Sequence, residues 1–284
     1  MLLRGRHILL TGATGALGEP LAAGLVARGA RPSLVARTAG PLTALADRIG
    51  AAALPADLTD PAARADLLER AEAVGGPVDV LVHNAGVETA GLLAELGPED
   101  VEHTVALNLT APLALTRLAL PGMTARGSGH VVMVSSLAGV ASFPGLAVYG
   151  ATKAGLTHAT AALAMELRGT GVGTTLAELG PLRSAMMDRA RQHPTVDASF
   201  ARARALHALR DLEPAEAADA VLDAVEAGRA VVRRPRRAAP LAATAALPRR
   251  LVRLVLDGVP VDGVGVPATD GDHLARATDG ARTR

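Results

Sequence analysis

The feature that most constrains this chain is Tyr149-Gly150-Ala151-Thr152-Lys153, whose two ends are chemically singular: the sequence holds one Tyr, and Lys153 is its one Lys among 29 basic residues. Arg has replaced Lys everywhere else. A guanidinium serves as well as an ammonium on most surfaces, so a lone Lys marks a place where the compact charge is needed. Residues i and i+4 of a helix share a face, with Cβ atoms about 5–6 Å apart, which sets the Lys153 ammonium beside the Tyr149 phenol. A neighbouring cation favours phenolate and lowers the Tyr pKa from about 10. The spacing therefore predicts an acid/base couple, with Tyr149 drawn down toward its working range. A buried Tyr and a snorkelling Lys on an amphipathic helix is the plainer reading of the same pattern.

The front of the chain points to a ligand. Residues 6–10 read as a short apolar strand that runs into Thr11-Gly12-Ala13-Thr14-Gly15-Ala16-Leu17-Gly18 and then an apolar-periodic segment. A strand, a glycine-rich turn and a helix form the first part of a dinucleotide-binding βαβ unit. Gly12, Thr14, Gly15, Ala16, Leu17 and Gly18 are the candidates to cradle a pyrophosphate at the positive helix N-terminus. A second strand over 32–36 ends at Arg37-Thr38. An acidic residue there would accept from a ribose 2′-hydroxyl. A cation and a hydroxyl suit a 2′-phosphate instead, so NADP(H) is favoured over NAD(H).

Helices are expected over 41–49, over roughly 12 residues after the Asp60-Pro61 cap, over 99–124, 148–168 and 214–227. Strands are expected over 51–55, 78–82, 131–134, 172–178 and 230–232. The third strand ends in Asp57-Leu58, the fourth in His83-Asn84-Ala85-Gly86, and the fifth in Ser135-Ser136. This alternation predicts an α/β fold: a Rossmann-like, doubly wound parallel sheet of about seven strands with helices on both faces. Residues 183–211 are looser, either a lid over the substrate or an ordinary helical insertion.

Composition excludes several classes. With no Cys there is no disulfide framework, thiolate chemistry or Cys-based metal site, and no metal is expected. A net charge of +1 selects no partner, and no apolar run reaches the length of a membrane span. The N-terminus reads as a strand, not a leader, and a cytoplasmic location is expected. Charge is nevertheless uneven. Between Glu226 and Asp257 there are eight Arg (229, 233, 234, 236, 237, 249, 250 and 253) and no acid. With Leu247, Leu251, Leu254 and Val255, these residues suggest a basic amphipathic helix. It can pack on its own domain, on a partner subunit, or peripherally on an anionic membrane. Nucleic acid is not expected, since no aromatics accompany the Arg cluster. Residues 1–235 are thus read as one nucleotide-binding and catalytic domain, and 236–284 as a partly helical basic tail that ends in disorder.

In this order and spacing, Thr11 to Gly18, Asp57, Asn84-Ala85-Gly86, Asn108, Ser136 and Tyr149 to Lys153 resemble the short-chain dehydrogenase/reductase family over residues 5–233. The resemblance implies an oxidoreductase that interconverts a ketone or aldehyde and an alcohol. In it Tyr149 exchanges the proton, Ser136 hydrogen-bonds the reacting oxygen, and Lys153 binds the nicotinamide ribose and lowers the Tyr149 pKa. Asn108, at a mid-helix distortion, holds a water that links Lys153 to solvent. Asp57 with Leu58 meets the adenine edge, and Asn84, Ala85 and Gly86 support the adenosine side. Ser135 is out of register by one residue. His83 stands where the family commonly has Asn, and is read as a packing substitution. The loop after the sixth strand, Gly180-Pro181-Leu182-Arg183-Ser184, departs from the family pattern, with Pro181, Leu182 and Ser184 as cofactor contacts. The implied partners are a small apolar carbonyl or alcohol, with Phe143 as the one nearby aromatic, and further copies of the chain in a dimer or tetramer. The alternative is a catalytically silent, cofactor-binding regulator or scaffold, which gives no reason for the lone Tyr and lone Lys to stand together.

Overall fold

The computed structural model describes residues 2–206 and 209–235. Seven strands lie parallel in one sheet: β1 (His7–Thr11), β2 (Arg31–Ala36), β3 (Ala52–Pro55), β4 (Val80–His83), β5 (Gly129–Ser136), β6 (Val172–Leu179) and β7 (Val231–Arg234), in the order β3-β2-β1-β4-β5-β6-β7. Around them run α1 (Gly18–Ala27), α2 (Ala39–Ile49), α3 (Pro61–Ala65), α4 (Leu67–Gly75), α5 (Pro98–Val105), α6 (Ala111–Ala125), α7 (Ala147–Glu166), α8 (Ala185–Ala190), α9 (Pro194–Ala205) and α10 (Pro214–Glu226).

Strands covered on both faces read as near-continuous apolar runs, because alternate side chains feed opposite cores. Ile8, Leu10, Leu34, Val80, Val82, Val132 and Ala177 pack under α1, α2 and α10. Their neighbours Leu9, Val35, Leu81, Val131, Met133 and Leu176 point the other way, into a core with α4, α6 and α7. Burying each large aliphatic side chain stabilises the fold by about 1.5–3 kcal/mol. A third, smaller core joins Leu137 and Leu146 to Met187, Val196, Phe200 and Leu209.

β1 pairs with β2 on one side (Leu10 opposite Leu34) and with β4 on the other (Leu10 opposite Val82). The chain therefore reverses its winding direction between β1 and β4, which opens a crevice beyond their carboxyl ends. The glycine turn, Asp57, Asn84-Ala85-Gly86, Ser136 and the Tyr149–Lys153 segment line this end of the sheet.

Three expected elements differ in detail. The helix after Asp60 is two pieces, α3 and α4, which meet at Asp66; Asp60 does cap it, accepting from Ala62 N at 2.8 Å. The long helix over 99–124 is interrupted, since a π-helical turn at Ala106–Thr110 separates α5 from α6. The loose segment 183–211 holds α8 and α9, which close over the third core. The basic tail over 236–284 lies outside the described residues. Among those described, no helix is long and apolar enough to cross a membrane.

Candidate active site

The floor of the crevice is a knot of backbone. Thr11 Oγ1 donates to Val82 O (3.2 Å) and accepts from the N–H groups of Asn84 (3.0 Å) and Ala85 (3.1 Å). The Asn84 amide donates to Thr11 O (3.2 Å) and Gly12 O (2.9 Å). These bonds lock the loop after β4 onto the turn after β1. Gly12 has φ +66°, and a Cβ there would lie 2.7 Å from Ala85 Cα, so both conformation and contact demand glycine.

The far wall is the amino-terminal half of α7, packed beside the end of β5. Tyr149 and Lys153 lie one turn apart, with Lys153 Nζ 5.7 Å from the phenol ring centroid. Lys153 is only 5% exposed, and its ammonium donates to Val134 O at 3.0 Å. Ser136 ends β5 and faces the cleft, its hydroxyl accepting from Ala138 N at 3.1 Å. Ser135 points the other way, donating to Lys153 O and meeting Thr157 Oγ1, both at 3.0 Å.

Asn108 is fully buried at the π turn. Its Oδ1 accepts from Val87 N (2.9 Å), and its Nδ2 donates to Val87 O (2.8 Å) and Thr152 Oγ1 (3.2 Å). The side chain is thus a clamp between the loop after β4 and α7.

The electrostatics correct one expectation. Burial, and then Glu88, push the Tyr149 hydroxyl above its ordinary pKa, opposed only by its hydrogen bond with Ser136. The expected lowering by Lys153 does not prevail, because desolvation penalises phenolate more than the neighbouring groups favour it. Burial also lowers Lys153 to about 8, partly offset by Glu88. Desolvation raises Glu88 to about 7, against the pull of Lys153 and Arg191. Asp57 is held below its usual value by the Thr59 hydroxyl (2.7 Å) and Thr59 N–H (2.9 Å), with Arg37 and His103 assisting.

These walls enclose a cleft of about 570 Å³, within the range of small-molecule and cofactor sites. It is lined by Gly12, Thr14, Gly15, Ala16, Leu17, Arg37, Thr38, Asp57, Leu58, Asn84, Ala85, Gly86, Ser136, Tyr149, Lys153, Pro181, Leu182 and Ser184. Of the candidates, only Gly18 and Asn108 stand behind the surface, Gly18 against the Gly12 carbonyl and Asn108 as the clamp. The Ser184 hydroxyl caps α8, accepting from Met187 N at 3.2 Å while donating to Leu182 O at 3.2 Å. Sequence reasoning missed Glu88 and Phe200. Phe143 is not the lone aromatic: Phe200, from α9, also lines the cleft and stacks on it at a centroid distance of 5.5 Å. No sequence spacing joins those two rings. Glu88 did leave a trace, as an acid two residues beyond the Asn84-Ala85-Gly86 turn.

His83 is buried, with Nε2 2.8 Å from Thr116 Oγ1, and burial lowers its pKa to about 3. It is a neutral packing residue, as the sequence implied. Because the folded pKa lies below the unfolded value of about 6.5, its stabilising effect is complete above that pH and is lost as pH falls from there toward 3. The unfolding free energy should therefore fall through this window by at most about 1.4 kcal/mol per pH unit from this residue, followed as a falling thermal midpoint. His83→Asn should flatten that fall; an unchanged slope would place the acid sensitivity elsewhere.

Comparison with known proteins follows the same lines. Residues 6–195 match the family model described as short chain dehydrogenase. The ketoacyl reductase HetN of Nostoc sp. is 37% identical over 179 residues, 61% of this chain and 62% of that protein, so the chain spans about three fifths of this relative's length. The 3-oxoacyl-[acyl-carrier-protein] reductase FabG of Escherichia coli is 31% identical over 188 residues, 66% of this chain and 77% of its own. A short-chain dehydrogenase from Streptomyces avermitilis superimposes with TM-score 0.75 at 29% identity, covering 88% of this chain and 95% of that one. One from Sphingobium yanoikuyae, solved in complex with NADPH, gives 0.73 at 28% identity, covering 90% and 99%.

Proposed function

Since the chain belongs to the short-chain dehydrogenase family, we propose that it is an NADP(H)-dependent oxidoreductase that interconverts an apolar ketone or aldehyde and the corresponding alcohol, with Tyr149 as general acid/base. The observation that carries this reading is the meeting of Tyr149, Ser136 and Lys153 in the same cleft as the glycine turn.

The residues fit a dinucleotide on two counts. The Gly12 turn is open only because no side chain stands there, and it leads into the N-terminus of α1, which favours an anionic group. Arg37 and Thr38 are exposed at the end of β2, at the start of α2, where a guanidinium can hold a 2′-phosphate. The bound cofactor supplies or accepts the hydride. Tyr149, kept neutral by burial, donates its proton to the oxygen of the carbonyl being reduced, or takes the alcohol proton in reverse. Ser136 hydrogen-bonds that oxygen as charge develops on it. Lys153, buried beside Tyr149, would hold the ribose of the nicotinamide. The substrate side is apolar: Phe143, Leu146, Met186, Met187, Phe200 and Leu209 line it.

The test is a panel of ketones and aldehydes assayed by NADPH oxidation, preceded by thermal shift with NADPH and with NADH. NADPH should stabilise more strongly at equal concentration, and Arg37→Glu should reverse the order. Stronger stabilisation of the wild type by NADH would reject the 2′-phosphate reading, and no turnover across the panel would reject the carbonyl chemistry.

A further inference from the structure

The acid/base group of the proposed reaction shares its cleft with a carboxyl that the reaction does not use. Glu88 lines the same cavity as Tyr149, Lys153 and Ser136. Its backbone is fixed on both sides: Val87 is held at N–H and C=O by Asn108, and Thr89 Oγ1 is hydrogen-bonded to Thr104 Oγ1 on α5. Gly86, just before, passes so near Lys153 that a Cβ there would lie 3.5 Å from Nζ. Yet the Glu88 carboxyl forms no hydrogen bond or ion pair among the described residues, and the Lys153 ammonium donates to Val134 O instead. An acid held in place but not neutralised by contact acts on its neighbours through its field.

We propose that Glu88 is a positioning residue that keeps Tyr149 and Lys153 in their protonated forms, stocking the cleft for proton donation to a carbonyl and so tilting it toward reduction. An anion beside a phenol disfavours phenolate, and beside an ammonium it favours the cation, so one carboxylate biases both groups the same way. The charges acting on Glu88 are Lys153 from α7 and Arg191 from the end of α8. Tyr149 is the group it acts on in turn. His103, on the helix that Thr89 touches, is coupled to Asp57 instead. The inference rests on Tyr149 being the acid/base group, but the coupling itself is measurable without turnover.

The sequence makes that measurement direct, because with one Tyr and no Trp the near-ultraviolet phenolate band reports Tyr149 alone. The full-length protein is titrated as wild type, Glu88→Gln and Glu88→Asp, with circular dichroism marking the limit of the folded state. A neutral Glu88→Thr variant serves in place of Gln if that protein does not fold. In parallel, the pH dependence of NADP⁺-dependent alcohol oxidation is measured. The neutral variant should develop phenolate about one pH unit lower than wild type, and the acid limb of oxidation should move down with it. Per unit this gives up to about tenfold more oxidation at pH above about 7, where Glu88 is ionised. Glu88→Asp, which keeps the charge, should stay near wild type. No movement of either readout in the neutral variant, or equal movement in Glu88→Asp, overturns the proposal. If phenolate moves while Tyr149→Phe keeps its turnover, the coupling stands and the acid/base reading of Tyr149 falls.

Discussion

Tyr149→Phe should lower kcat by roughly 10²–10⁴-fold, the range lost with a positioned general acid, and leave NADPH affinity unchanged. The substitution removes one hydroxyl and keeps the ring that packs under the Lys153 ammonium at 5.7 Å. The glycine turn, Arg37 and the Asn108 clamp do not depend on the phenol. Steady-state rates with the best carbonyl of the panel, beside a direct binding titration, separate chemistry from binding. Loss of both together would mean that the hydroxyl supports the fold or the cofactor pocket. Near wild-type turnover would remove Tyr149 from the chemistry.

The largest structural effect should come from Gly18→Ala. A Cβ at Gly18 would lie 2.0 Å from the Gly12 carbonyl oxygen and 2.7 Å from the carbonyl of Ala13. Both obstacles are backbone, so no rotamer change relieves the overlap, and either α1 must lift or the Gly12 turn must open. Overpacking of this kind costs about 1–3 kcal/mol and occasionally more. Here it also distorts the turn proposed to hold the pyrophosphate, so thermal midpoint and NADPH affinity should fall together. Gly40→Ala makes the same chemical change in the first turn of α2, where nothing lies within 4 Å. It should be neutral or stabilising by up to about 1 kcal/mol, since alanine is the better helix residue. Equal midpoints for the two variants would show that the close approach at Gly18 is not tight.

The seven strands were readable because each is a local apolar run between turn residues. Their order was set by the tertiary structure, which pairs β1 with β2 on one side and β4 on the other. Element ends moved by a residue or two, as at β7, which runs from Val231 to Arg234 and not over 230–232. The break at Asp66 and the π turn at Asn108 were not visible as periodicity, and the second entered only through resemblance. A π turn at Asn108 is held by three hydrogen bonds to Val87 and Thr152, residues distant in sequence.

That the two groups proposed as active lie together was legible in the chain itself: one phenol, one ammonium and a helical spacing that brings them to one face. Covalent order and helix geometry are local, so composition and spacing carry them. How acidic the phenol is was decided by the tertiary structure alone. That depends on how much water the fold removes and on which distant charges it brings near, and the fold encloses Tyr149 with Glu88, from another loop, and reverses the shift expected from Lys153. The pairing of Phe143 with Phe200 has the same origin. Desolvation and through-space fields are sums over neighbours in space, and neighbours in space exist only once the sheet has formed.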